Sequence, residues 1–425
     1  MNYIKLLLII IKAALCIACI IVLNWTSLLT RKSNKSKKKK QKKDSLTIFL
    51  ISNNYKPYSG GVATALDSYA QELRAKGHKV IIITLDFLGD AQEKEENVVR
   101  IWSPIRFIYR NNHMAIPWRP TKALYDLAQL HEPDILHVFH PFLLGVSGLK
   151  VGIKLNLPVA FTYMTLYDQY AHYIPLPKCI TQPIINYIVD DFCEKVDVLI
   201  APSNSARDHI IKQGVQHKTY ILPLSILPEY LKDTFTPKPA QKSEPFMLLF
   251  VSRFTPEKNI FFLLDMFKKL DQTHYRFTLI GFGSQTEALE KYAYETLALS
   301  PDIITFIIQP PKEEICAWYD TADLFIFASK SDTQGLVLAE AMARGTPVVA
   351  LEAPGVVDIV KQGINGFMVN SQAEMIEIIE KISHDKDLFE SLQKEAWITG
   401  NHYSASECTT KLLTIYHDML NTNSM

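Results

Sequence analysis

The sequence predicts an α/β protein of two doubly wound domains facing a cleft, behind an N-terminal transmembrane helix. Three observations carry this. Short apolar runs of strand length alternate with segments of helical periodicity from residue 46 onward. The alternation breaks once, at a polar, proline-rich stretch spanning 233–245, and then resumes. The first 43 residues follow neither pattern. They hold an apolar stretch and then a run of cations.

The apolar stretch spans 4–29 and exceeds the ~20 residues needed to cross a bilayer. Lys12 interrupts it near one end, where a lysine can snorkel, and Trp25 suits an interfacial position. Residues 31–43 follow with nine cations. A cleaved signal peptide fits less well, because no small-x-small site precedes the basic run. The positive-inside rule places the collar, and the body after it, on the cytoplasmic side of a single-pass protein. For a bacterial chain that means the inner membrane. The collar is also expected to attract anionic lipid.

The 425 residues suffice for two to three domains. A content of 48% hydrophobic and 21% charged residues excludes a mainly disordered chain. The net charge of +1 conceals an asymmetry: residues 1–43 hold 11 cations and no acid. Taking those 11 from the 45 basic residues leaves 34 against 44 acidic, so the body carries about −10. A nucleic-acid partner is therefore not expected. Six scattered cysteines suggest neither a disulfide framework nor a zinc site, and no metal is expected.

In the body, a strand at 46–51 leads through a loop with Gly60 and Gly61 into a helix. That helix shows Val62, Ala65, Leu66, Tyr69, Ala70 and Leu73 at helical spacing and stops at Gly77. Further strands are expected at 80–85, 98–102, 135–139, 158–163 and 197–201. These form an N-terminal Rossmann-like domain over 44–232. After the linker at 233–245, strands are expected at 246–252, 276–281, 303–308, 323–328 and 347–351. These form a second such domain over 246–400. Residues 401–425 supply a closing helix. In doubly wound sheets ligands sit at the carboxyl ends of the strands.

Four segments there can carry chemistry. Gly60 and Gly61 open a helix, where backbone amides approach a phosphate, although a tight turn explains a glycine pair equally well. Arg253 and Lys258 follow a buried strand and can neutralise charge on a departing diphosphate. Gly281 and Gly283 mark another strand-to-helix turn near a nucleotide. The segment 327–350 places Asp332, Thr333, Gln334, Gly335 and Leu336 at the start of a helix that carries Glu340. Amides at such a start bind anions, and carboxylates accept hydrogen bonds from sugar hydroxyls.

In that order, GGV, R-x-x-x-x-K and carboxylate-x7-carboxylate resemble the retaining, nucleotide-sugar-dependent glycosyltransferases of the GT-B fold. That group includes sucrose-phosphate synthases and bacterial mannosyltransferases. The resemblance covers roughly residues 46–420. It implies that Gly61, Arg253 and Lys258 hold the donor diphosphate. Asp332 would face the donor sugar, Glu340 the ribose, and Gly335 and Leu336 would supply backbone donors. It implies no cofactor beyond the donor, and it places the closing helix back on the first domain. The tract TYMTLYDQYAHY at 162–173 is similar to the T-Y-H-T-x-Y-E-x-Y-x-H-Y tract of bacterial diacylglycerol and glycolipid glycosyltransferases. The segments 141–145 and 333–343 are similar to the same subgroup.

The implied activity is transfer of a hexose from a UDP-sugar to a membrane lipid, with retention. Two departures stand out. Met164 replaces the family's histidine, with His172 eight residues on, and Asp332 replaces its glutamate. They keep open a binder without catalysis. A soluble sugar or polysaccharide acceptor is the other alternative. Finally, residues 100–120 mix Arg100, Arg106, Arg110 and Arg119 with Trp102, Phe107, Tyr109 and Trp118. If exposed, this tract is expected to dock an anionic membrane surface. If buried, it is core.

Overall fold

The computed structural model describes residues 45–56, 61–89, 95–109, 112–167, 177–238, 245–330 and 332–422. The expected transmembrane helix at 4–29, the basic collar, Gly60 and His172 lie outside the described residues. Among the described residues no helix is long and apolar enough to cross a membrane. The chain divides into two compact units. One runs to Leu222 and takes in the residues from Thr409 onward. The other is Pro223–Cys408.

The first unit begins with β1 (Thr47–Ile51), α1 (Gly61–Ala75), β2 (Lys79–Leu85) and β3 (Val98–Ile101). A hairpin follows, β4 (Ile105–Tyr109) and β5 (Asn112–Ile116). Then come α2 (Pro120–His131), β6 (Ile135–Val138), α3 (Leu144–Leu155) and β7 (Val159–Thr162). The series ends with α4 (Lys178–Lys195), β8 (Val198–Ala201), α5 (Asn204–Lys212) and β9 (Thr219–Ile221). Seven strands form one sheet in the order β3-β2-β1-β6-β7-β8-β9, with every pairing parallel. Such a sheet is covered on both faces, so its central strands are apolar at nearly every position rather than at alternate ones. Phe49, Leu50, Ile51, Leu136 and Val138 are fully buried. Each such side chain contributes about 1.5–3 kcal/mol of burial.

The second unit repeats the plan. Its elements are β10 (Phe246–Val251), α6 (Ile260–Lys269), β11 (Tyr275–Gly281), α7 (Thr286–Lys291), β12 (Ile304–Ile308), α8 (Lys312–Thr321) and β13 (Leu324–Phe327). These lead into α9 (Leu336–Ala343), β14 (Val348–Leu351), β15 (Gly366–Val369), α10 (Gln372–His384) and α11 (Lys386–Asn401). Its six-stranded sheet has the order β12-β11-β10-β13-β14-β15, again parallel throughout. Ser371 and Asp385 cap α10 and α11 by accepting from backbone amides three residues on. Residues 232–238, whose polar composition suggested a solvated connector, are strapped to this unit. The Lys232 carbonyl accepts from Trp397 Nε1 at 3.0 Å. Lys238 is buried, and its Nζ donates to Tyr319 O, Ala322 O and Thr346 Oγ1 at 2.5–2.8 Å.

Three elements escaped the sequence pattern: the β4–β5 hairpin, the short edge strand β9, and β15. The hairpin contains much of the aromatic and cationic tract. Trp102 and Trp118 are 59% and 60% exposed, so this tract is not core. Arg110 lies outside the described residues.

The last helix, α12 (Ala405–Thr422), crosses the division between the units in sequence. Within the first unit it is tied to the sheet by a polar contact in the middle of the core. His137 on β6 is fully buried and bonds Tyr416 Oη through Nδ1 and Thr162 Oγ1 through Nε2, each at 2.7 Å. Its ring stacks on Phe139. Burial holds the imidazole down at about 3 and that of His140 at about 4. Both rings must therefore stay neutral for the fold, whereas the unfolded chain protonates them near pH 6.5. The stability they allow is complete above pH 6.5 and is lost as pH falls toward their folded values. Between pH 6.5 and 5 each should cost about 1.4 kcal/mol per pH unit. His137→Gln should make the pH dependence of urea unfolding shallower by about that amount. An unchanged slope in the variant would show that His137 is not neutral in the fold.

Candidate active site

In each sheet the chain winds outward on one side and then returns to the other side of its first strand. The reversal falls between β1 and β6 in the first unit and between β10 and β13 in the second. There the loops leaving the two neighbouring strands diverge and open a crevice at their carboxyl ends. Leu248 and Leu249 of β10 pair with Leu324 and Phe325 of β13. The loops that follow are 252–259 and 328–335, and they hold Arg253, Lys258 and the residues from Asp332 to Gly335.

Lys258 ends a short 3-10 turn, Pro256–Lys258, that brings it under cover. It is buried, and its Nζ donates to both Asp332 oxygens, at 2.7 and 2.9 Å. Burial pushes the Asp332 carboxyl up, but the ammonium opposite outweighs it and holds the group below the usual carboxylate range. Arg253 adds to this from the same loop. Its guanidinium is half-exposed and lies 3.5 Å from the Glu257 carboxylate. Arg253, Lys258 and Asp332, far apart in sequence, thus form one charged cluster. It contains two cations, each beside a carboxylate, Lys258 on Asp332 and Arg253 on Glu257.

Gly335 has φ 67°, the left-handed region that glycine adopts without strain, and starts α9. The first amides of a helix have no acceptor of their own. Thr333 and Leu336 flank this start and are half-buried. Gln334 has a different setting. Its side chain is buried and clamps the backbone of Leu224, accepting from its N at 2.7 Å and donating to its O at 3.1 Å. The amide is therefore used in holding the loop. Glu340 lies one turn into α9, where Tyr319 Oη donates to its Oε2 at 3.0 Å. Burial, together with the Glu340 charge, pushes the Tyr319 hydroxyl far up, so it remains a donor.

Gly281 and Gly283 have a packing cause of their own. A Cβ on Gly281 would stand 1.8 Å from Ser252 O, and one on Gly283 2.3 Å from Phe254 O. The two glycines let the loop after β11 lie directly on the loop after β10. That contact exposes two residues the sequence reading missed. Thr255 Oγ1 and Gln285 Oε1 are buried side-chain atoms with no hydrogen-bond partner among the described residues. They lie on the two touching loops, whose backbones join through Gln285 N and Phe254 O at 3.0 Å. Unsatisfied buried polar atoms are uncommon, and each calls for a partner such as a water or a ligand.

In the first unit Gly61 begins α1 and is exposed, with open space where a Cβ would be. His140, also missed from sequence, follows β6 at the reversal point. Its Nδ1 accepts from Asn53 N at 3.2 Å, so the neutral ring carries its proton on Nε2. Met164, just after β7, is buried. Only its position beside a strand end could have pointed to His140.

The comparisons agree with this architecture. Residues 59–229 match the Glycosyltransferase Family 4 model and residues 232–397 the Glycosyl transferases group 1 model. Alpha-monoglucosyldiacylglycerol synthase of Streptococcus pneumoniae is 29% identical over 365 residues, 82% of this chain and 81% of that protein. Among solved structures, the sucrose-phosphate synthase of Thermosynechococcus elongatus superposes with a TM-score of 0.70 at 18% identity, over 89% of this chain and 100% of that one. HepE of Anabaena, solved in complex with UDP, gives 0.70 at 17% identity over 88% and 100%. With a family 4 domain before a group 1 domain, on two doubly wound parallel sheets, the chain belongs to the glycosyltransferases of the GT-B fold.

Proposed function

We propose that the protein transfers a hexose from a UDP-sugar to a membrane lipid of the diacylglycerol or glycolipid class, with retention at the anomeric carbon. The observation that carries the donor half is the Lys258 ammonium, held under cover at the carboxyl end of β10 beside Asp332. A diphosphate placed there meets Lys258 and the half-exposed Arg253 together. The UDP bound by HepE supports the choice of nucleotide. The lipid acceptor is supported by the synthase relative, whose name specifies a glucosylated diacylglycerol. The apolar stretch at 4–29 and the cations at 31–43 would keep the enzyme on its acceptor's surface, as a single-pass protein with its body in the cytoplasm.

The chemistry follows from charge. The bond between the anomeric carbon and the diphosphate oxygen breaks, and negative charge grows on that oxygen. Arg253 and Lys258 stabilise it where it forms. The acceptor hydroxyl adds on the face the diphosphate leaves, and its proton passes to the departing phosphate oxygen. Asp332 has a second task besides orienting sugar hydroxyls: it neutralises Lys258 until the diphosphate arrives. Glu340, oriented by Tyr319, receives the ribose hydroxyls. The amides at Gly335 and Leu336 complete the donor set.

The reading is tested by offering labelled UDP- and GDP-sugars to the full chain on diacylglycerol vesicles and analysing products by mass spectrometry. A hexosyl lipid formed from a UDP-sugar, with the α configuration kept, is expected. Label found only in soluble oligosaccharide would move the acceptor away from lipid. Lys258→Ala should lower kcat by about 100- to 1000-fold, the usual loss of a charge-stabilising group. Near-normal turnover would remove Lys258 from catalysis. Asp332→Asn should have opposite effects on two ligands. UDP alone should bind more tightly, because Lys258 is released from its carboxylate, while the preference for UDP-sugar over UDP should disappear. Calorimetry on both ligands reads this, and unchanged UDP affinity would show that the ion pair does not oppose diphosphate binding.

A further inference from the structure

The β4–β5 hairpin leaves large apolar side chains exposed. Its cross-strand pairs are Ile105–Ile116 and Phe107–Met114 on one face, and Arg106–Ala115 and Ile108–His113 on the other. Side chains alternate between the faces of a strand. Ala115 is buried and Arg106 bonds the Asp86 carboxylate, so at its base this face turns to the body of the unit, while toward the tip Ile108 on the same face is 67% exposed. The opposite face carries Ile105 and Met114, 54% and 43% exposed, with Phe107 and Ile116 half-buried beside them. Trp102 and Trp118 stand at the base of the hairpin, joined by a backbone bond of 3.1 Å and both mostly exposed. From Trp102 a groove of about 330 Å³ continues between β3 and α2, past Val99 and Leu127, to Leu130, itself 73% exposed. The groove is also lined by Arg100 and Asp126, but so many exposed large apolar side chains in one region of the surface mark an interaction site.

Two features identify what covers it. The stripe runs down to the end of α2, where His131 meets Phe49 of β1 and Asp134 accepts from Thr47 N. This is the end of β1 at which the chain enters from the basic collar and the apolar stretch at 4–29. The collar's thirteen residues span at most about 45 Å, so the stripe is kept within reach of any bilayer that holds the apolar stretch. Among the described residues, two of the tract's arginines are matched by carboxylates. Arg100 bonds Glu95 at 2.7 Å and Arg106 bonds Asp86, while Arg119 lies against the Trp118 ring. Paired tryptophans suit the boundary between lipid head groups and acyl chains.

We propose that the outer face of the hairpin, with Trp102 and Trp118, inserts into the interfacial zone of the bilayer, and that apolar contact rather than anionic attraction holds it there. This rests on the lipid-acceptor reading and adds the surface by which the first unit meets its acceptor phase. It also replaces the docking on anionic lipid expected from composition, because two of the arginines counted for it are spent on neighbouring carboxylates.

The test uses the full chain in phosphatidylcholine vesicles that contain brominated acyl chains and no sugar donor. Tryptophan quenching is compared between the wild type and the double variant Trp102→Phe, Trp118→Phe. The difference between them isolates these two rings from the other tryptophans. Quenching assigned to both rings is expected, and it should persist in about 1 M salt, where the Debye length is about 3 Å. A second variant, Ile105→Ser with Met114→Ser, keeps both rings and should lose most of their quenching while binding UDP as the wild type does. Equal quenching in the wild type and the tryptophan variant would overturn the proposal, as would its loss in high salt. So would light scattering that shows a second copy covering the hairpin, or crosslinks from the stripe to residues 4–29. Quenching without lipid glycosylation in the presence of donor would uphold the docking surface and sink the acceptor reading. Glycosylation of dispersed short-chain lipid without quenching would do the reverse.

Discussion

A parallel sheet cannot leave either face in water, and this constraint organises the whole molecule. Each strand must be followed by a crossover that returns to the same starting edge, so all strand ends gather on one side. Where the winding direction reverses, the loops part. In the second unit this reversal brings the loop after β10 beside the loop after β13, some eighty residues later in sequence. Lys258 and Asp332 meet there because of topology, and neither strand has any local preference that would join them. The glycines at 281 and 283 serve the same arrangement by letting a third loop lie on the first.

The charged cluster shows how such a site is held ready without its ligand. A buried lysine alone would be costly to keep charged. Asp332 supplies the counter-charge through two hydrogen bonds, and its own carboxyl is kept ionised by the same contact. The diphosphate of a donor therefore competes with a carboxylate for Lys258 and also meets the half-exposed Arg253. The shorter reach of aspartate, where relatives of this pattern carry glutamate, is compatible with that role, because the bidentate contact with Lys258 is complete. Thr255 and Gln285 add two oxygen atoms whose hydrogen-bonding capacity remains for a water or a ligand.

The first unit handles its polar and apolar groups in the reverse way. Its core admits a histidine, His137, but only with both ring nitrogens engaged, and that contact ties the last helix to the sheet. Its surface leaves out a set of large apolar side chains on a two-stranded hairpin. A water-facing antiparallel ribbon ordinarily turns its polar side outward. Here Arg106 is engaged with Asp86 while Ile105, Ile108 and Met114 are exposed, an arrangement suited to an apolar solvent.

The sequence alone determined the α/β class, the two rounds of alternation and nearly all the central strands, because a doubly covered parallel strand must be a near-continuous apolar run and such runs are visible without a structure. It also determined Arg253, Lys258, Asp332 and Glu340 as candidates, since their order along the chain resembles that of a known family. Tertiary structure decided the rest. The edge strand β9 is three residues long and only half-buried, β15 opens on a glycine, and the hairpin is largely exposed, so none reads as a plain buried apolar run. Gln334 looked like a donor contact, and only the fold shows its amide clamped on Leu224. Thr255, Gln285 and His140 become notable through an absent partner or a position beside a strand end. The face of the hairpin that meets solvent was likewise undecided in the sequence. Alternation defines two faces but does not say which one turns inward, and the ion pair of Arg106 with Asp86, twenty residues earlier in the chain, makes that choice at the hairpin's base.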